Sequence, residues 1–311
     1  MSEDAIIVGG SYAGMAAALQ LLRARRRVLV IDAGRRRNRM AATSHGFLGH
    51  DGSDPAMIAS LARSQLERYP TLRWIDGSAA AASGTRDHFT VTTGDGAEHK
   101  GRRLLLAPGV SDTLPPVPGL AERWGRSVFH CPYCHGYELD RGEIGVIATG
   151  PMSLHQARLL PEWGRVTLFL DGRLELDMQS ADELSALGVA IEPTPIARIE
   201  GHADIVLADG RRRGFAGLFT ASRNAPATDL AERLGCELMD TPMGTQVRTN
   251  EAKETSVPGV FACGDVARVP HSVSLAVGDG AWAGAQVHQS LVFAEAARAD
   301  RNRQSPTRVA R

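Results

Sequence analysis

The segment from Ala5 to Asp32 constrains this chain more than any other. Ala5-Ile6-Ile7-Val8 is a short apolar run, Gly9-Gly10-Ser11-Tyr12-Ala13-Gly14 a turn of mostly small residues, and Met15 to Leu22 an Ala/Leu-rich helix. Val28-Leu29-Val30-Ile31 follows as a second apolar run ending on Asp32. Strand, glycine-rich turn, helix and strand in that order make a Rossmann-like unit. Small residues in the turn let the backbone approach a pyrophosphate at the helix N-terminus, and an acid about 20 residues on meets the ribose hydroxyls. A glycine motif alone says little, but strand, helix and Asp32 in register with it point to a nucleotide. One position departs: Ser11 stands where the middle glycine would be.

A second unit of this kind follows later, with a strand at Glu143 to Ala148, a turn at Thr149 to Ser153, a helix at Leu154 to Trp163, and a strand from Val166 to Leu170 before Asp171. At 311 residues the chain has room for about two domains with cores of their own. The expected fold is α/β, with two Rossmann-like, three-layer dinucleotide-binding domains. Leu114-Pro115-Pro116-Val117-Pro118-Gly119 and the stretch from Ser222 to Ala227 mark boundaries, giving segments 1–114, 115–222 and 223–297. The third segment, with a strand from Val260 to Asp265 that ends in Gly-Asp and an Ala-rich helix from Gly278 to about Ala297, rejoins the first, so the second domain is inserted in it. Other expected elements are a helix from Asp54 to Tyr69, a hairpin pairing His88–Thr93 with Glu98–Lys100, and a separate strand from Arg103 to Ala107. Residues 298–311 lack an apolar face and are expected to be disordered.

Lys+Arg and Asp+Glu balance at 35 each, so no net charge draws the protein to nucleic acid or an anionic membrane. The arginine runs Arg23 to Arg27, Arg35 to Arg39 and Arg211 to Arg213 read as solvated helix ends and turns. No stretch approaches the roughly 18 apolar residues of a membrane span, and the chain enters its first strand directly; a cytoplasmic protein is expected.

Of the four cysteines, Cys236 and Cys263 stand apart and suit small buried core positions. Cys131-Pro132-Tyr133-Cys134-His135-Gly136 is different, because two thiols separated by two residues can cycle between dithiol and disulfide. That chemistry requires a thiolate, and a free cysteine is mostly protonated at neutral pH. A helical turn begun by Gly136-Tyr137-Glu138-Leu139 would lower the thiol pKa. His135, an imidazole titrating near neutrality, can carry the proton in either direction; a stacking or surface role is the plainer alternative. C-x-x-C-H also matches haem attachment, but that requires export, for which there is no signal. Zinc would need two more ligands, and Cys236 and Cys263 form no second CxxC, so no metal is expected. Further upstream, the glycines of the loop from Thr43 to Gly52 suit a segment that follows a flat ligand, with Arg39 and His45 as its contacts.

Together these pieces resemble the low-molecular-weight thioredoxin reductase family of flavoproteins. The resemblance covers nearly the whole chain and is carried by Gly9-x-Ser11-x-x-Gly14 with Asp32, Ala107-Pro108-Gly109, the CxxC, and Phe261-Ala262-Cys263-Gly264-Asp265. It implies a split FAD domain, an inserted nicotinamide-type domain carrying the CxxC, and a homodimer. By position, Gly9, Ser11, Gly14 and Asp32 would hold the ADP half of FAD, and Asp265, following Gly264, would hold the ribitol. The segment from His271 to Gly280, with Ser272 and Val273, would lie along the flavin ring. Cys134 would face the flavin while Cys131 exchanges with substrate. Thioredoxin reductases proper have an acid after the second cysteine; here His135 takes its place.

The second turn departs from the NADPH-dependent pattern. It reads Ala148-x-Gly150-x-x-Ser153, and Leu170-Asp171-Gly172-Arg173 stands where a basic cluster would grip the 2′-phosphate. A carboxylate there repels that phosphate and favours NADH if a nicotinamide nucleotide binds, with Arg173 alone opposing it. Cys-Pro-Tyr-Cys-His-Gly-Tyr-Glu resembles the sub-branch of dithiol oxidases that close disulfides in natural products such as gliotoxin and holomycin. The likeness implies a FAD enzyme that oxidises a small-molecule or peptide dithiol through Cys131 and Cys134, with oxygen or NADP+ as acceptor. His130, His135, His45, His50 and His271 would supply bases, and Asp279 a charge near the flavin. An NAD(P)H-dependent reductase of thioredoxin or a related disulfide would use the same site, and a non-catalytic redox-sensing flavoprotein is a third reading.

Overall fold

A computed structural model describes residues 2–304. β1 (Glu3–Val8) is buried throughout. Its side chains alternate between two cores, Ala5 and Ile7 packing with α1 (Tyr12–Arg23) while Ile6 and Val8 face the opposite layer. β2 (Val28–Asp32) lies parallel to β1, pairing Ala5 with Val28 and Val8 with Ile31. α2 (Pro55–Leu66) starts where the Asp54 side chain accepts from the Ala56 amide and proline occupies the first helical position. β3 (Leu72–Asp76) continues the parallel sheet beside β2.

β4 (Ala79–Thr85), β5 (His88–Thr93) and β6 (Glu98–Leu106) add an antiparallel edge. β6 is one strand where the sequence suggested two: its first half pairs with β5 and its second half with β1. β4 had no strand signal, since its Ala-rich sequence has little strand propensity and pairing with β5 decides its conformation. β7 (Val110–Thr113) then leads out of this sheet.

A second parallel sheet follows, built on β8 (Val128–Phe129), α3 (Pro132–His135), β9 (Glu143–Ile147), α4 (Met152–Leu159), β10 (Arg165–Phe169), α5 (Met178–Ala186) and β11 (Ala190–Glu192). β12 (Ile196–Glu200), β13 (Asp204–Leu207) and β14 (Arg212–Gly214) form an antiparallel layer over it. β15 (Gly217–Thr220) completes the order β11-β10-β9-β15-β8. The core between these layers holds fully buried Phe169, Leu218 and Ile205, each contributing about 1.5–3 kcal/mol by leaving water.

The chain returns along β16 (Arg223–Pro226), antiparallel to β7. α6 (Leu230–Arg233), β17 (Leu238–Thr241) and β18 (Gly244–Val247) follow, and Leu230, Cys236 and Val247 cover the second face of the first sheet. β19 (Val260–Ala262) joins that sheet beside β6. The result is a two-domain Rossmann-type α/β fold. α7 (Val273–Gln304) packs on α1 and begins before Gly278 because Ser272 Oγ accepts from the Leu275 amide at 3.1 Å. It is helical through Gln304, so the stretch from Arg298 expected to be disordered is helix up to there; 305–311 lie outside the described residues. Cys236 and Cys263 are both buried, as expected.

Candidate active site

The turn after β1 opens onto a cleft with about 1250 Å³ of empty space. Gly9 adopts φ +100°, where a side chain is strained, and a Cβ on it would overlap the Ala107 carbonyl; one on Gly14 would overlap the carbonyl of Gly9. Backbone thus packs on backbone at this turn, with no room for a side chain on Gly9 or Gly14. Ser11 borders the cleft as the residue preceding α1, and its hydroxyl does not cap the helix, so the first amides of α1 remain open to an anion. Asp32 ends β2 with Oδ1 accepting from the Gly10 amide at 3.1 Å.

On the opposite side stands the CxxC. Cys131 immediately precedes α3 and Cys134 lies within it, their sulfurs 2.6 Å apart. The first helical turn therefore contains Cys134 instead of starting at Gly136; a separate turn spans Tyr137–Leu139. Pro132 fixes this start, since it needs no amide partner and is preset for a helix. The Cys131 thiol is held below its ordinary value by the hydrogen bond from Cys134, helped by the amides of Cys134 and Tyr133 and by Arg37, against the effect of burial. Cys134 is pushed far up by the same pairing and by burial. Of the two thiols, Cys131 is therefore the more readily deprotonated. Cys134 borders the cleft, whereas Cys131 lies outside its wall, next to Tyr133, which is 71% exposed.

His135 stacks on Phe129 with ring centroids 4.2 Å apart, and it also borders the cleft. Burial, with the charge of His45 adding to it, pulls its pKa down to about 4, so it is a neutral imidazole at pH 7 and does not titrate near neutrality as the sequence suggested. His45 joins the rim, its Nδ1 3.4 Å from Glu138 Oε1 and 3.5 Å from Asp51 Oδ1. His130 borders the cleft as well and is driven to about 3 by burial and by Arg37.

Gly264, Asp265, Ser272 and Val273 all line the cleft, as anticipated. Arg39 does not: its guanidinium turns back to donate to the Arg36 carbonyl at 2.9 Å. Asp279 lies off the wall and is neutralised, with Oδ1 2.5 Å from Lys253 Nζ and Oδ2 accepting from the Gly264 amide. Arg37 and Asp112 are among the wall residues that escaped the sequence reading. Arg37 makes a two-point ion pair with Asp112, at 2.8 and 2.6 Å, and is only 17% exposed. It was hidden inside an arginine run whose other members give no reason to single it out.

The family model for pyridine nucleotide-disulphide oxidoreductases matches residues 3–280. The chain belongs to that family. Its fold and its adjacent thiols are those of a thioredoxin reductase-like oxidoreductase, and the family in general binds FAD and NAD(P)H. The chain is 34% identical to thioredoxin reductase sirT of Leptosphaeria maculans over 94% of this chain and 96% of that one. It is 36% identical to thioredoxin reductase tcpT of Claviceps purpurea, covering 93% and 94%. A solved oxidoreductase from Agrobacterium tumefaciens superposes with a TM-score of 0.92 at 54% identity, covering 94% of this chain and 99% of that chain.

For a pyridine nucleotide-disulphide oxidoreductase the second turn is unusual. Ser153 Oγ accepts from the Thr149 amide at 2.9 Å, so the turn caps itself. Asp171 Oδ1 accepts from the Ile196 amide at 2.8 Å and Oδ2 from Arg173 Nε at 3.0 Å, with the carboxylate only 8% exposed. Arg173 is thereby neutralised. The first cleft, in contrast, fits a dinucleotide: beside its glycine turn, Arg36 Nε and Asn38 Oδ1 are buried on its wall without a partner, a donor and an acceptor ready for a ligand. Among the described residues no helix is long and apolar enough to cross a membrane.

Proposed function

We propose that this enzyme oxidises a small dithiol to a disulfide, with Cys131 and Cys134 as the exchanging pair and FAD held in the cleft. The observation that carries the reading is the asymmetry of the pair: the more acidic thiol lies off the cleft wall and the less acidic one borders it. Gly9, Ser11, Gly14 and Asp32 would hold the ADP half, and Gly264, Asp265, Ser272 and Val273 the flavin half. When bound, FAD supplies a sink for two electrons.

The chain's own steps are thiol exchange. A substrate thiolate attacks Sγ of Cys131 in the oxidised pair, forming a mixed disulfide and releasing Cys134 as thiolate. The second substrate thiolate attacks the substrate sulfur of that bond, releasing the product disulfide and the Cys131 thiolate. Two electrons now reside on the pair. The two substrate protons pass to the neutral rings of His130 and His135, which become more basic as thiolates form beside them. Oxygen or NADP+ is the final acceptor in this reading. The inserted domain, residues 115–222, would pivot on the paired strands β7 and β16, and two copies would associate as a homodimer.

A second reading, reduction of a thioredoxin-like disulfide by NADPH, is favoured by relatives that bear the name thioredoxin reductase. The self-engaged Asp171 and Arg173 argue against it. Anaerobic bleaching of the protein's flavin separates the two. A small dithiol should bleach the flavin rapidly and NADPH or NADH slowly, with colour returning on admission of air. Fast bleaching by NADPH would put the reductase first.

A further inference from the structure

The turn that brings Asp265 to the cleft wall is held from behind by two residues that the proposed exchange leaves unused. The short 3₁₀ turn Gly264–Ala267 starts on Cys263, whose side chain does not cap it. Its first amide, that of Gly264, donates instead to Oδ2 of Asp279 on α7 at 2.8 Å. Oδ1 of Asp279 lies 2.5 Å from Lys253 Nζ. The two side chains are only 8% and 17% exposed, so each charge depends on the other.

Packing fixes where Asp279 can stand. A Cβ on Gly264 would come within 2.7 Å of the Ala13 Cβ, and one on Gly280 within 2.1 Å of the Ala13 carbonyl oxygen. Ala13 belongs to the first turn of α1 and lines the cleft. The turn and α7 therefore rest on the same residue of α1, and Asp279, next to Gly280, has little freedom to leave the Gly264 amide.

Lys253 is held in an unusual conformation. Its φ is +61°, a left-handed value that a residue with a side chain seldom takes. Its amide donates to the Asn250 carbonyl at 2.9 Å, and its carbonyl accepts from the Ala262 amide at 3.0 Å. Ala262 ends β19, directly before Cys263 and Gly264. Lys253 is thus tied through its main chain to that strand, and through its side chain to the carboxylate that holds the turn after it. A strained residue kept at such a place points to a role beyond packing.

We propose that Asp279, with its charge offset by Lys253, is the positioning residue of the flavin half of the cleft: by taking the Gly264 amide it sets the turn that presents Asp265. Asp279 lies off the wall and acts only through that turn. The inference rests on the reading of the cleft as an FAD site.

The test uses the full-length chain, freed of flavin and titrated with FAD or with ADP. ADP carries only the half assigned to Gly9, Ser11, Gly14 and Asp32, so it separates a displaced flavin half from a general loosening. The native chain should bind FAD more tightly than ADP. Asp279→Leu leaves a buried amide unpaired and should weaken FAD about tenfold, with ADP changed less than about twofold. Lys253→Met leaves Asp279 a buried, unpaired carboxylate and should weaken FAD by a similar factor, again sparing ADP. The double variant Lys253→Met/Asp279→Asn removes both charges but keeps an oxygen for the Gly264 amide. It should recover FAD affinity to within about threefold of native. If Asp279→Leu does not fold, Lys253→Met against the double variant decides. Equal weakening of FAD and ADP in a single variant, unchanged FAD affinity in Asp279→Leu, or a double variant no better than Lys253→Met would overturn the proposal. A native chain that binds ADP as tightly as FAD would instead remove the FAD reading of the cleft.

Discussion

At the end of β1 the turn from Gly9 to Gly14 leaves its polar groups open, whereas at the end of β9 the turn from Ala148 to Ser153 closes on itself. Ser11 does not cap α1, and Asp32 offers only one oxygen to the Gly10 amide. In the second turn Ser153 takes the Thr149 amide, and both oxygens of Asp171 are engaged. Both units share strand, turn, helix and acid-ended strand. What separates them is whether the polar groups at the helix N-terminus and strand end already have partners, because a satisfied group gains little by meeting a ligand. Shared topology therefore does not by itself imply shared ligand chemistry.

The largest effect should come from filling the open turn. Gly9→Ala forces a side chain into φ +100° against the Ala107 carbonyl, at a cost of order 1–3 kcal/mol for the backbone alone. Flavin bound per chain, read from absorbance against protein, should fall more than about tenfold. Gly150→Ala is the matched control: its φ is also positive, at +147°, but nothing lies within 4 Å of the added Cβ. That variant should keep its flavin. Equal flavin loss in both would mean that the two turns are not functionally different.

An intermediate effect should follow from unlocking the closed turn. Asp171→Asn keeps an oxygen for the Ile196 amide but removes the charge that neutralises Arg173 and repels a 2′-phosphate. Bleaching by NADPH should then quicken about fivefold, the equivalent of about 1 kcal/mol for one charge contact near the surface. NADH should not gain. No change with either nucleotide would mean that the second turn does not take a nicotinamide nucleotide even when unlocked.

How much of this was readable beforehand depended on the kind of signal. The units at Ala5–Asp32 and Glu143–Asp171 were legible because burial on both faces makes a strand uniformly apolar, and the cysteine pair because spacing alone brings the sulfurs together. Arg37 was not legible: among the neighbouring arginines its sequence context is uniform, and only the fold places Asp112 and His271 beside it. His135 borders the cleft, but its titration was misjudged, because the Phe129 ring stacked on it comes from β8 and leaves no mark at position 135. Arg39 was misplaced for a related reason. In the short turn Arg37–Met40, neighbouring side chains point in different directions, and sequence gives no phase for which of them faces the cleft.

The smallest effect should come from Arg173→Ala, and its smallness is informative. As a free cation at the strand end, Arg173 would be the one residue able to grip a 2′-phosphate, and its removal would slow NADPH bleaching severalfold. In this structure its Nε is bound to Asp171 at 3.0 Å and its side chain is 36% exposed. A partly exposed ion pair of this kind contributes about 0–1 kcal/mol to stability, and an arginine already neutralised has little charge left to offer. Bleaching by NADPH should therefore change less than about twofold, and the melting temperature should hardly move. If bleaching slows severalfold instead, Arg173 must leave Asp171 when the nucleotide arrives, and the closed turn would be a gate that NADPH itself can open.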